Sequence, residues 1–289
     1  MYSRPIMDVM VPTSLQDALQ VLAQTPGCTV LAGGTDLMVE LNGGHRQVSS
    51  VVAVNRLAEL RTWRHDPAAG LLHLGAGITY AEIATSPIAT WVPALAQAAR
   101  TVGSPQIRHA ATIGGNLGTC SPAGDGLPVL AALGAVVHLA SQAGARDVPF
   151  GSFMVGPKRT VLQPDELITG VTVPVLQGWQ GYSKVGVRNA MVIAVASAAL
   201  VTDDAARSVR VALGSVGPVV LRCPEAEALA MQRADFDHHR IDAAALQEFV
   251  ELVRGAARPI DDHRSTAAYR RHAVGVLAGR LLRRAFPNE

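Results

Sequence analysis

Two glycine pairs are the residues of this 289-residue chain best suited to hold a charged ligand. Gly33 and Gly34 end an apolar run, and Thr35 and Asp36 follow them directly. Glycine adopts positive φ without strain and leaves its backbone N–H groups unshielded, as a loop that cradles phosphate requires. A similar stretch, Thr112-Ile113-Gly114-Gly115-Asn116, lies further along the chain. Together the two stretches predict one large anionic ligand that is held from two sides.

The first stretch has neither of the common phosphate-binding spacings. It lacks the G-x-G-x-x-G pattern of a dinucleotide-binding crossover and the Gly-Lys-Ser/Thr ending of a P-loop. A kinase or an ATPase is therefore disfavoured. A tight strand-to-helix turn with Asp36 as the helix cap, and no ligand, explains the same residues equally well.

The second stretch sits in a long segment, residues 103–126, that has little apolar periodicity and many small or hydroxyl residues. We expect a loop, and a loop of this length within a compact domain usually has a function. Thr112, Asn116 and Ser121 can donate hydrogen bonds to phosphate or polyol oxygens. Asp125 can accept one from a sugar hydroxyl.

Composition restricts the class of protein. Lys and Arg together (25) nearly balance Asp and Glu (23), so the net charge of +2 gives no indication of a nucleic-acid partner. No apolar window approaches the ~18 residues that span a bilayer, and no apolar segment follows Arg4, so we expect a cytoplasmic protein. Cys28, Cys120 and Cys223 form no C-x-x-C pair, which predicts no metal site and no iron–sulfur cluster on this chain.

The elements that would position these stretches follow from hydrophobic periodicity and from capping residues. The pattern predicts a helix over 13–24, a strand over 28–32, a helix over 37–41 and a strand over 51–54. It then predicts a strand over 71–75, a helix capped by Thr79 and Glu82, helices over 91–102 and 127–133, and a strand over 135–140.

The remainder of the chain has a different pattern. We expect strands over 166–173, 181–188, 193–201 and 209–215, followed by amphipathic helices over 243–257 and 265–284. A turn-rich run at 174–181 marks a boundary. The predicted units are residues 1–57, 58–176 and 177–289, in an α+β fold.

Seven ordered blocks give the chain a resemblance to the flavoprotein (medium) subunits of the molybdenum hydroxylase family, which includes xanthine dehydrogenase and carbon monoxide dehydrogenase. They are Ala32-Gly33-Gly34-Thr35-Asp36, Thr112-Ile113-Gly114-Gly115-Asn116, Ser121-Pro122-x-x-Asp125, Gly156-Pro157-Lys158-Arg159-Thr160, Asp165-Glu166-Leu167-Ile168, Lys184-Val185-Gly186-Val187-Arg188 and Arg264-Ser265-x-x-x-Tyr269-Arg270-Arg271-His272. The blocks cover nearly the whole chain in order. Either glycine pair alone would be a weak signal.

The resemblance implies a two-lobed FAD-binding domain of the vanillyl-alcohol-oxidase (PCMH) type, followed by a C-terminal α+β domain of the CO dehydrogenase flavoprotein type. It also implies which residues contact FAD: Val30, Leu31, Ala32, Gly33, Gly34, Thr35, Asp36, Thr112, Ile113, Gly114, Gly115, Asn116, Asp125, Ile168 and Lys184. Lys184 would place a cation beside the isoalloxazine and raise the flavin potential. A strand lysine that reaches solvent is the alternative for this residue.

The resemblance further implies a division of labour among subunits. A large subunit would oxidise the substrate at a molybdenum cofactor, and a small subunit would carry two [2Fe-2S] clusters. This chain would pass the electrons to NAD+ or another acceptor, within a dimer of heterotrimers. No side chain of this chain would be catalytic in the acid–base sense, and none would bind a metal. The seven blocks are more similar to the xanthine dehydrogenase type, and the medium subunit of carbon monoxide dehydrogenase is the alternative.

Two readings from other classes stay open at this point. One is a self-sufficient FAD-dependent oxidase or reductase of the same cofactor-binding fold, and the other is a scaffold protein with a vestigial loop. His109, and the histidines in Asp237-His238-His239-Arg240, are expected to be solvated and not ligands. The arginines of the last helix are expected on a solvated face or at a partner contact; they are Arg270, Arg271, Arg280, Arg283 and Arg284.

Overall fold

In the computed structural model, which describes residues 7–85 and 87–287, the chain begins with a small parallel sheet. The elements of this first unit are β1 (Asp8–Met10), α1 (Leu15–Gln24), β2 (Thr29–Leu31), α2 (Leu37–Asn42) and β3 (Ser50–Ala53). The strands lie in the order β1–β3–β2, and both pairs are parallel. The β2–α2 connection contains the first glycine pair, so this pair lies at the carboxyl end of a strand.

Helix α1 forms as its sequence predicts. The Ser14 side chain accepts a hydrogen bond of 3.1 Å from the Asp17 N–H and caps the first turn. Ala18 and Leu22, one helical turn apart, are buried in a cluster with Val52 of β3. One apolar stripe therefore fixes the helix on the sheet.

The second unit combines an antiparallel sheet with a layer of short helices. Its elements are β4 (Trp63–Asp66), β5 (Leu71–Gly75), α3 (Tyr80–Thr85), α4 (Ile88–Trp91), α5 (Pro93–Thr101), α6 (Pro105–Ala110), α7 (Ile113–Thr119), α8 (Gly126–Leu133), β6 (Val136–Ser141), β7 (Gly144–Pro149), α9 (Phe150–Phe153), β8 (Met154–Gly156), β9 (Arg159–Thr160) and β10 (Leu167–Pro174). The sheet has the order β4–β5–β10–β6–β7, and β8 pairs with β9.

The core of this unit is formed by alternate residues of its strands, whose side chains point to the same face of the sheet. Leu72 and Leu74 of β5, and Val171 and Val173 of β10, are at most 1% exposed. They share a buried cluster with α8, every residue of which is buried. A short helix that is apolar on all sides is stable only between other elements, as α8 is here. The Thr79–Glu82 capping box is confirmed, with bonds of 2.9 Å from the Thr79 N–H and 3.2 Å from the Glu82 N–H.

The prediction of a loop over residues 103–126 is wrong for much of that segment, because α6 and α7 lie within it. Each helix starts at a capping hydroxyl: Ser104 Oγ accepts from the Ile107 N–H at 3.3 Å, and Thr112 Oγ1 accepts from the Gly115 N–H at 2.9 Å. Neither helix has a continuous apolar stripe. Caps and tertiary contacts stabilise them, so periodicity could not reveal them.

The third unit is an antiparallel sheet covered by helices. Its elements are β11 (Gln180–Val185), β12 (Ala196–Asp203), β13 (Ser208–Gly214), β14 (Leu221–Arg222), α10 (Pro224–Arg233), α11 (Ala243–Ala256) and α12 (Ala267–Ala285). The strand order is β11–β12–β13–β14. The two long helices at the end of the chain agree with the prediction, and they share a buried cluster with β12 and β13. Strand β11 ends at Val185, earlier than predicted.

Helix α10 was not predicted from the sequence. Its buried residues are two alanines and a carboxylate, Ala226, Ala230 and Glu227, so it shows no apolar stripe. Glu227 is 7% exposed and accepts bonds of 2.6 and 2.7 Å from the Arg222 guanidinium and of 2.9 Å from the Val211 N–H. A half-buried ion pair, and not an apolar side chain, holds this helix against β13.

The expectation of a solvated face or a partner contact is wrong for Arg270, because its side chain is 4% exposed. The guanidinium donates to Val195 O at 3.0 Å, to Ser215 O at 2.9 Å and to Asp262 Oδ1 at 2.6 Å. Arg271, on the same helix, is exposed. Arg270 thus joins α12 to the start of β12 and the end of β13.

None of the helices formed by residues 7–85 and 87–287 has both the length and the apolar character needed to cross a bilayer. In the same part of the chain, no group of three or more His, Cys, Asp and Glu side chains is arranged to hold a metal ion.

We expect Arg270→Met to lower the free energy of unfolding by roughly 3 kcal/mol, because it leaves the carbonyls of Val195 and Ser215 without this donor and removes the ion pair with Asp262. For a chain of this size the melting temperature should fall by about 6–12 °C. Arg271→Met is the matched control on the exposed face and should change stability by no more than about 0.5 kcal/mol. Calorimetry of both variants measures this, and equal melting temperatures would contradict the structural role of Arg270.

Candidate functional site: a cleft between the glycine stretches

Both glycine stretches line one cleft of about 940 Å³. The β2–α2 connection forms one wall, and the start of α7 with the segment that leads into α8 forms the other. A volume of this size is at the upper end of the ~300–1,000 Å³ typical of small-molecule and cofactor sites. The cleft can therefore hold an extended ligand.

At the first wall, the backbone conformation requires glycine for two separate reasons. Gly34 has φ +70°, in the left-handed region. At Gly33 the constraint is contact: a Cβ there would lie 1.9 Å from the carbonyl oxygen of Ala110, the last residue of α6. The two walls meet at this point, backbone against backbone.

The backbone N–H groups of this wall are available to a ligand. Among the hydrogen bonds of residues 7–85 and 87–287, none is donated by the N–H groups of residues 32–36. Several adjacent N–H groups at a turn with one residue in the left-handed region form an anion-binding concavity. This supports the interpretation of the stretch as a phosphate cradle.

Asp36 precedes α2 and lines the cleft, but its side chain makes no capping hydrogen bond. Its carboxylate accepts a hydrogen bond of 3.4 Å from Thr119 Oγ1, and Lys158 Nζ lies 3.6 Å away. Asp36 thus occupies the N-cap position of α2, as the alternative predicted, but its side chain does not cap the helix. Its contacts connect the first wall to α7 and to the β8–β9 hairpin.

The second wall uses its glycines differently from the prediction. The Gly114 N–H donates to Ala76 O at 2.9 Å, and the Gly115 N–H donates to the Thr112 hydroxyl at 2.9 Å, so neither is free for a ligand. A Cβ at Gly114 would lie 2.5 Å from the Ala76 Cβ. Glycine at position 114 is thus needed to seat α7 against the turn after β5.

Side chains supply the polar groups of this second wall. Asn116 Oδ1 accepts a 2.7 Å bond from the Tyr80 hydroxyl, which leaves the amide NH₂ end of the side chain as its donor. Asp125, just before α8, accepts 2.7 Å bonds from the Tyr182 hydroxyl and from Lys184 Nζ. Burial raises the pKa of Asp125, although both bonds act in the opposite direction.

The C-terminal unit docks against this wall through polar contacts. The Tyr182 N–H donates to Gln97 Oε1 of α5 at 2.8 Å, and the Ser215 N–H donates to Pro122 O at 2.9 Å. Burial and the neighbouring Asp125 raise the pKa of the Tyr182 phenol well above its usual value, so it stays protonated as a donor.

The structure brings nearly all of the predicted contact residues to the cleft. The lining includes Val30, Leu31, Ala32, Gly33, Gly34, Thr35, Asp36, Thr112, Gly114, Gly115, Asn116, Asp125 and Ile168. Ile113 is 1% exposed and packs in the core, and Lys184 lies behind Asp125 with its side chain 9% exposed. The alternative of a lysine that reaches solvent is therefore wrong for Lys184.

Sequence reasoning missed the charged groups around the cleft. Lys158 forms a close ion pair with Glu40, which lowers the pKa of that carboxyl group, and Arg46 lies 3.7 Å from the same carboxylate. Within residues 7–85 and 87–287, Arg61 has no hydrogen-bond or ion-pair partner for its guanidinium. Lys158 belongs to one of the seven blocks that carry the family resemblance, so the sequence did contain a signal for it. Arg46 and Arg61 lie in stretches without a recognisable motif, so no signal could have identified them.

The histidines have the positions expected of solvated residues. His109 is exposed, at the rim of the cleft on α6. His238 is exposed too, and its Nδ1 lies 2.8 Å from Asp235 Oδ2. Segment 191–193 also lines the cleft and contains the exposed apolar side chains Met191 and Ile193.

The cleft lies between a small parallel sheet and an antiparallel sheet with helices, and a separate α+β unit follows. This arrangement is suited to a large anionic cofactor. Residues 5–176 match the family described as the FAD binding domain in molybdopterin dehydrogenase, and residues 182–285 match the CO dehydrogenase flavoprotein C-terminal domain. The chain belongs to the FAD-binding medium subunits of the molybdenum hydroxylase family, and it is an oxidoreductase subunit. The predicted family and fold class are confirmed.

Individual relatives support this assignment, and each aligns over nearly the whole of both chains. The chain is 32% identical to the glyceraldehyde dehydrogenase medium chain of Sulfolobus acidocaldarius (91% of this chain, 92% of that one). It is 28% identical to the xanthine dehydrogenase FAD-binding subunit of Escherichia coli O157:H7 (94% and 93%). Its structure is similar to a chain of the carbon monoxide dehydrogenase of Hydrogenophaga pseudoflava, with a TM-score of 0.88 at 27% identity (98% of both chains).

We expect Gly33→Ala to weaken FAD binding by about tenfold or more, since its Cβ would displace the Ala110 carbonyl and with it the junction of the two walls. Gly118→Ala is the matched control: it also lines the cleft, but its Cβ would meet only Ile168 Cδ1, at 3.8 Å. Titration of each apo-variant with FAD measures the effect. Wild-type affinity in Gly33→Ala would contradict the contact.

Proposed function

We propose that this chain is the electron-transfer subunit of a molybdenum-containing hydroxylase complex of the xanthine dehydrogenase type. In this role a large subunit oxidises the substrate at a molybdenum cofactor, and a small subunit with [2Fe-2S] clusters delivers the electrons. FAD on this chain passes them to NAD+ or another acceptor. The observation that carries the proposal is the cleft itself, lined by both glycine stretches.

The lining fits FAD, which is both long and doubly charged at its pyrophosphate. We propose that residues 32–36 hold the pyrophosphate, because their N–H groups donate no hydrogen bond to another described residue and Arg61 adds a cation on the same lining. Thr112 and Asn116 would contact the adjoining part of the cofactor, with Asp125 and Ile168 beyond them. The full set of fifteen contacts predicted above is part of this proposal, except that Ile113 would contribute through packing alone.

The bound cofactor supplies the redox chemistry, so the protein side chains have other tasks. The described residues of the cleft wall bind, orient and shield. Tyr80 holds the carbonyl end of Asn116, and Tyr182 with Lys184 holds Asp125. These two polar groups thereby have a fixed orientation before the cofactor enters, which lowers the entropic cost of binding.

The substrate of the complex would be chosen on the large subunit. The relatives named above are a glyceraldehyde, a xanthine and a carbon monoxide dehydrogenase, although each aligns with nearly all of this chain. Similar medium subunits thus occur with unrelated substrates. We propose the same arrangement here, with the complex assembled as a dimer of heterotrimers in the cytoplasm.

Purification of the chain with an affinity tag from cells that express its own neighbouring genes tests this function. We expect it to contain stoichiometric FAD and to copurify with a large molybdenum-containing and a small iron–sulfur subunit. Metal analysis and mass spectrometry measure both. A chain that purifies alone, and that reduces its FAD directly with an organic substrate, would establish the self-sufficient oxidase instead. A chain that contains no flavin would contradict both the electron-transfer subunit and the self-sufficient oxidase.

A further inference from the structure

Helix α2 is the least firmly packed part of the first wall. None of its six residues is buried, and the Val39 side chain is 67% exposed. An element with few buried apolar contacts opens at a low cost in free energy. Apolar packing therefore does not fix this helix, although it directly follows residues 32–36, whose N–H groups donate no hydrogen bond to another described residue.

Charged side chains hold α2 instead. Asp36 precedes the helix and Glu40 lies in its first turn, so the two carboxylates are neighbours at i and i+4. Lys158, at the tip of the β8–β9 hairpin, forms a close ion pair with Glu40, and its Nζ lies 3.6 Å from Asp36 Oδ2. The Thr119 hydroxyl donates to the same Asp36 oxygen at 3.4 Å. One ammonium group thus contacts both acidic residues at the start of this helix.

The backbone of Lys158 is fixed to the second wall. Its N–H donates to Cys120 O at 3.1 Å, and Cys120 Sγ donates to Arg159 O at 3.5 Å. Cys120 ends α7 and is fully buried, so the hairpin tip is attached to the core. Lys158 has φ +54°, in the left-handed region that residues with a side chain seldom adopt. Its backbone therefore belongs to one wall, and its ammonium group reaches the other.

Residues 32–36 are thereby held at both ends. At one end the Gly33 backbone lies against the Ala110 carbonyl, and at the other Asp36 contacts Lys158. The first contact joins two backbones. The second joins side chains that are about half exposed, 51% for Lys158 and 50% for Asp36, and ion pairs of this kind are weak and are screened by salt. The ionic contact is therefore the attachment that breaks more easily.

We propose that Lys158 is a positioning residue, that its contacts with Asp36 and Glu40, the latch, hold α2 on the second wall, and that FAD leaves the cleft when the latch breaks. This rests on the proposed function, in which residues 32–36 bind the pyrophosphate. Arg46 also lies 3.7 Å from the Glu40 carboxylate, but it belongs to the first unit and does not join the two walls.

The rate at which FAD dissociates tests the latch. Lys158→Met and Glu40→Gln are made in the full chain and purified with its accompanying subunits, and FAD release after dilution is followed by flavin fluorescence. We expect both variants to release FAD about fivefold faster than wild type, because each breaks the contact between the walls. Lys158→Arg keeps the cation and should stay within about twofold of the wild-type rate.

Glu40→Gln distinguishes the latch from a simple attraction between charges. This variant removes a negative charge from the lining of the cleft. If Lys158 acted by attracting the anionic cofactor directly, the loss of the competing carboxylate would slow FAD release. The latch predicts faster release instead, so an unchanged or slower rate in Glu40→Gln overturns the proposal.

Arg46→Met is the matched control, because it removes a cation from the same carboxylate and leaves the contact between the walls in place. We expect Lys158→Met to release FAD about threefold faster than Arg46→Met. The difference should shrink when salt is raised to about 1 M, where screening weakens exposed ion pairs. Equal rates in the two variants at low salt, or a difference that salt does not change, would overturn the proposal.

Lys158→Gly provides a second variant in case Lys158→Met does not fold. Glycine adopts the left-handed conformation of this position without strain, so the hairpin keeps its turn while the ammonium group is lost. We expect it to release FAD about as fast as Lys158→Met, and a wild-type rate would count against the latch. A wild-type chain that binds no FAD contradicts the proposed function itself, whereas a wild-type chain that holds FAD, with unchanged rates in the latch variants, contradicts the latch alone.

Discussion

The site depends on one close contact between two backbones. At Gly33 the chain passes so near the Ala110 carbonyl that a Cβ would lie 1.9 Å from its oxygen, and this contact joins the small parallel sheet to the helical layer of the second unit. No side chain separates the two walls here, and the N–H groups of residues 32–36 donate no hydrogen bond to another described residue. Gly114 allows a similar close contact, because α7 lies directly against Ala76 there.

A second constraint comes from polar groups buried between units. The C-terminal unit places Tyr182 and Lys184 behind Asp125, and it contacts α5 through the Tyr182 N–H. Buried polar groups are stable only when each has a partner, and these partners come from different units. The C-terminal unit therefore shapes the cleft without lining most of it. In a chain with 4% aromatic residues, such polar contacts do much of the positioning.

Local signals in the sequence predicted a large part of the fold. The Thr79–Glu82 capping box, the amphipathic α1 and the two long final helices follow from interactions within a few residues, and all are present. Helices α6, α7 and α10 were missed because each is stabilised by caps, close backbone contacts or a half-buried ion pair, as at Glu227. None of these leaves an apolar periodicity. Arg270 was misjudged for a related reason: the two carbonyls that it contacts, of Val195 and Ser215, are 75 and 55 residues away in the sequence.

The sequence by itself determined the family and the cofactor class, because seven blocks of characteristic residues in a fixed order are recognisable without a fold, and it indicated the two glycine stretches that line the cleft. Only the tertiary structure decided which N–H groups are free, since those of Gly114 and Gly115 are taken up by Ala76 and Thr112. It also decided that Lys184 lies behind Asp125. Whether a charge faces a ligand or its counter-ion depends on distances of a few ångströms between units, and residue types and spacing contain no such distances.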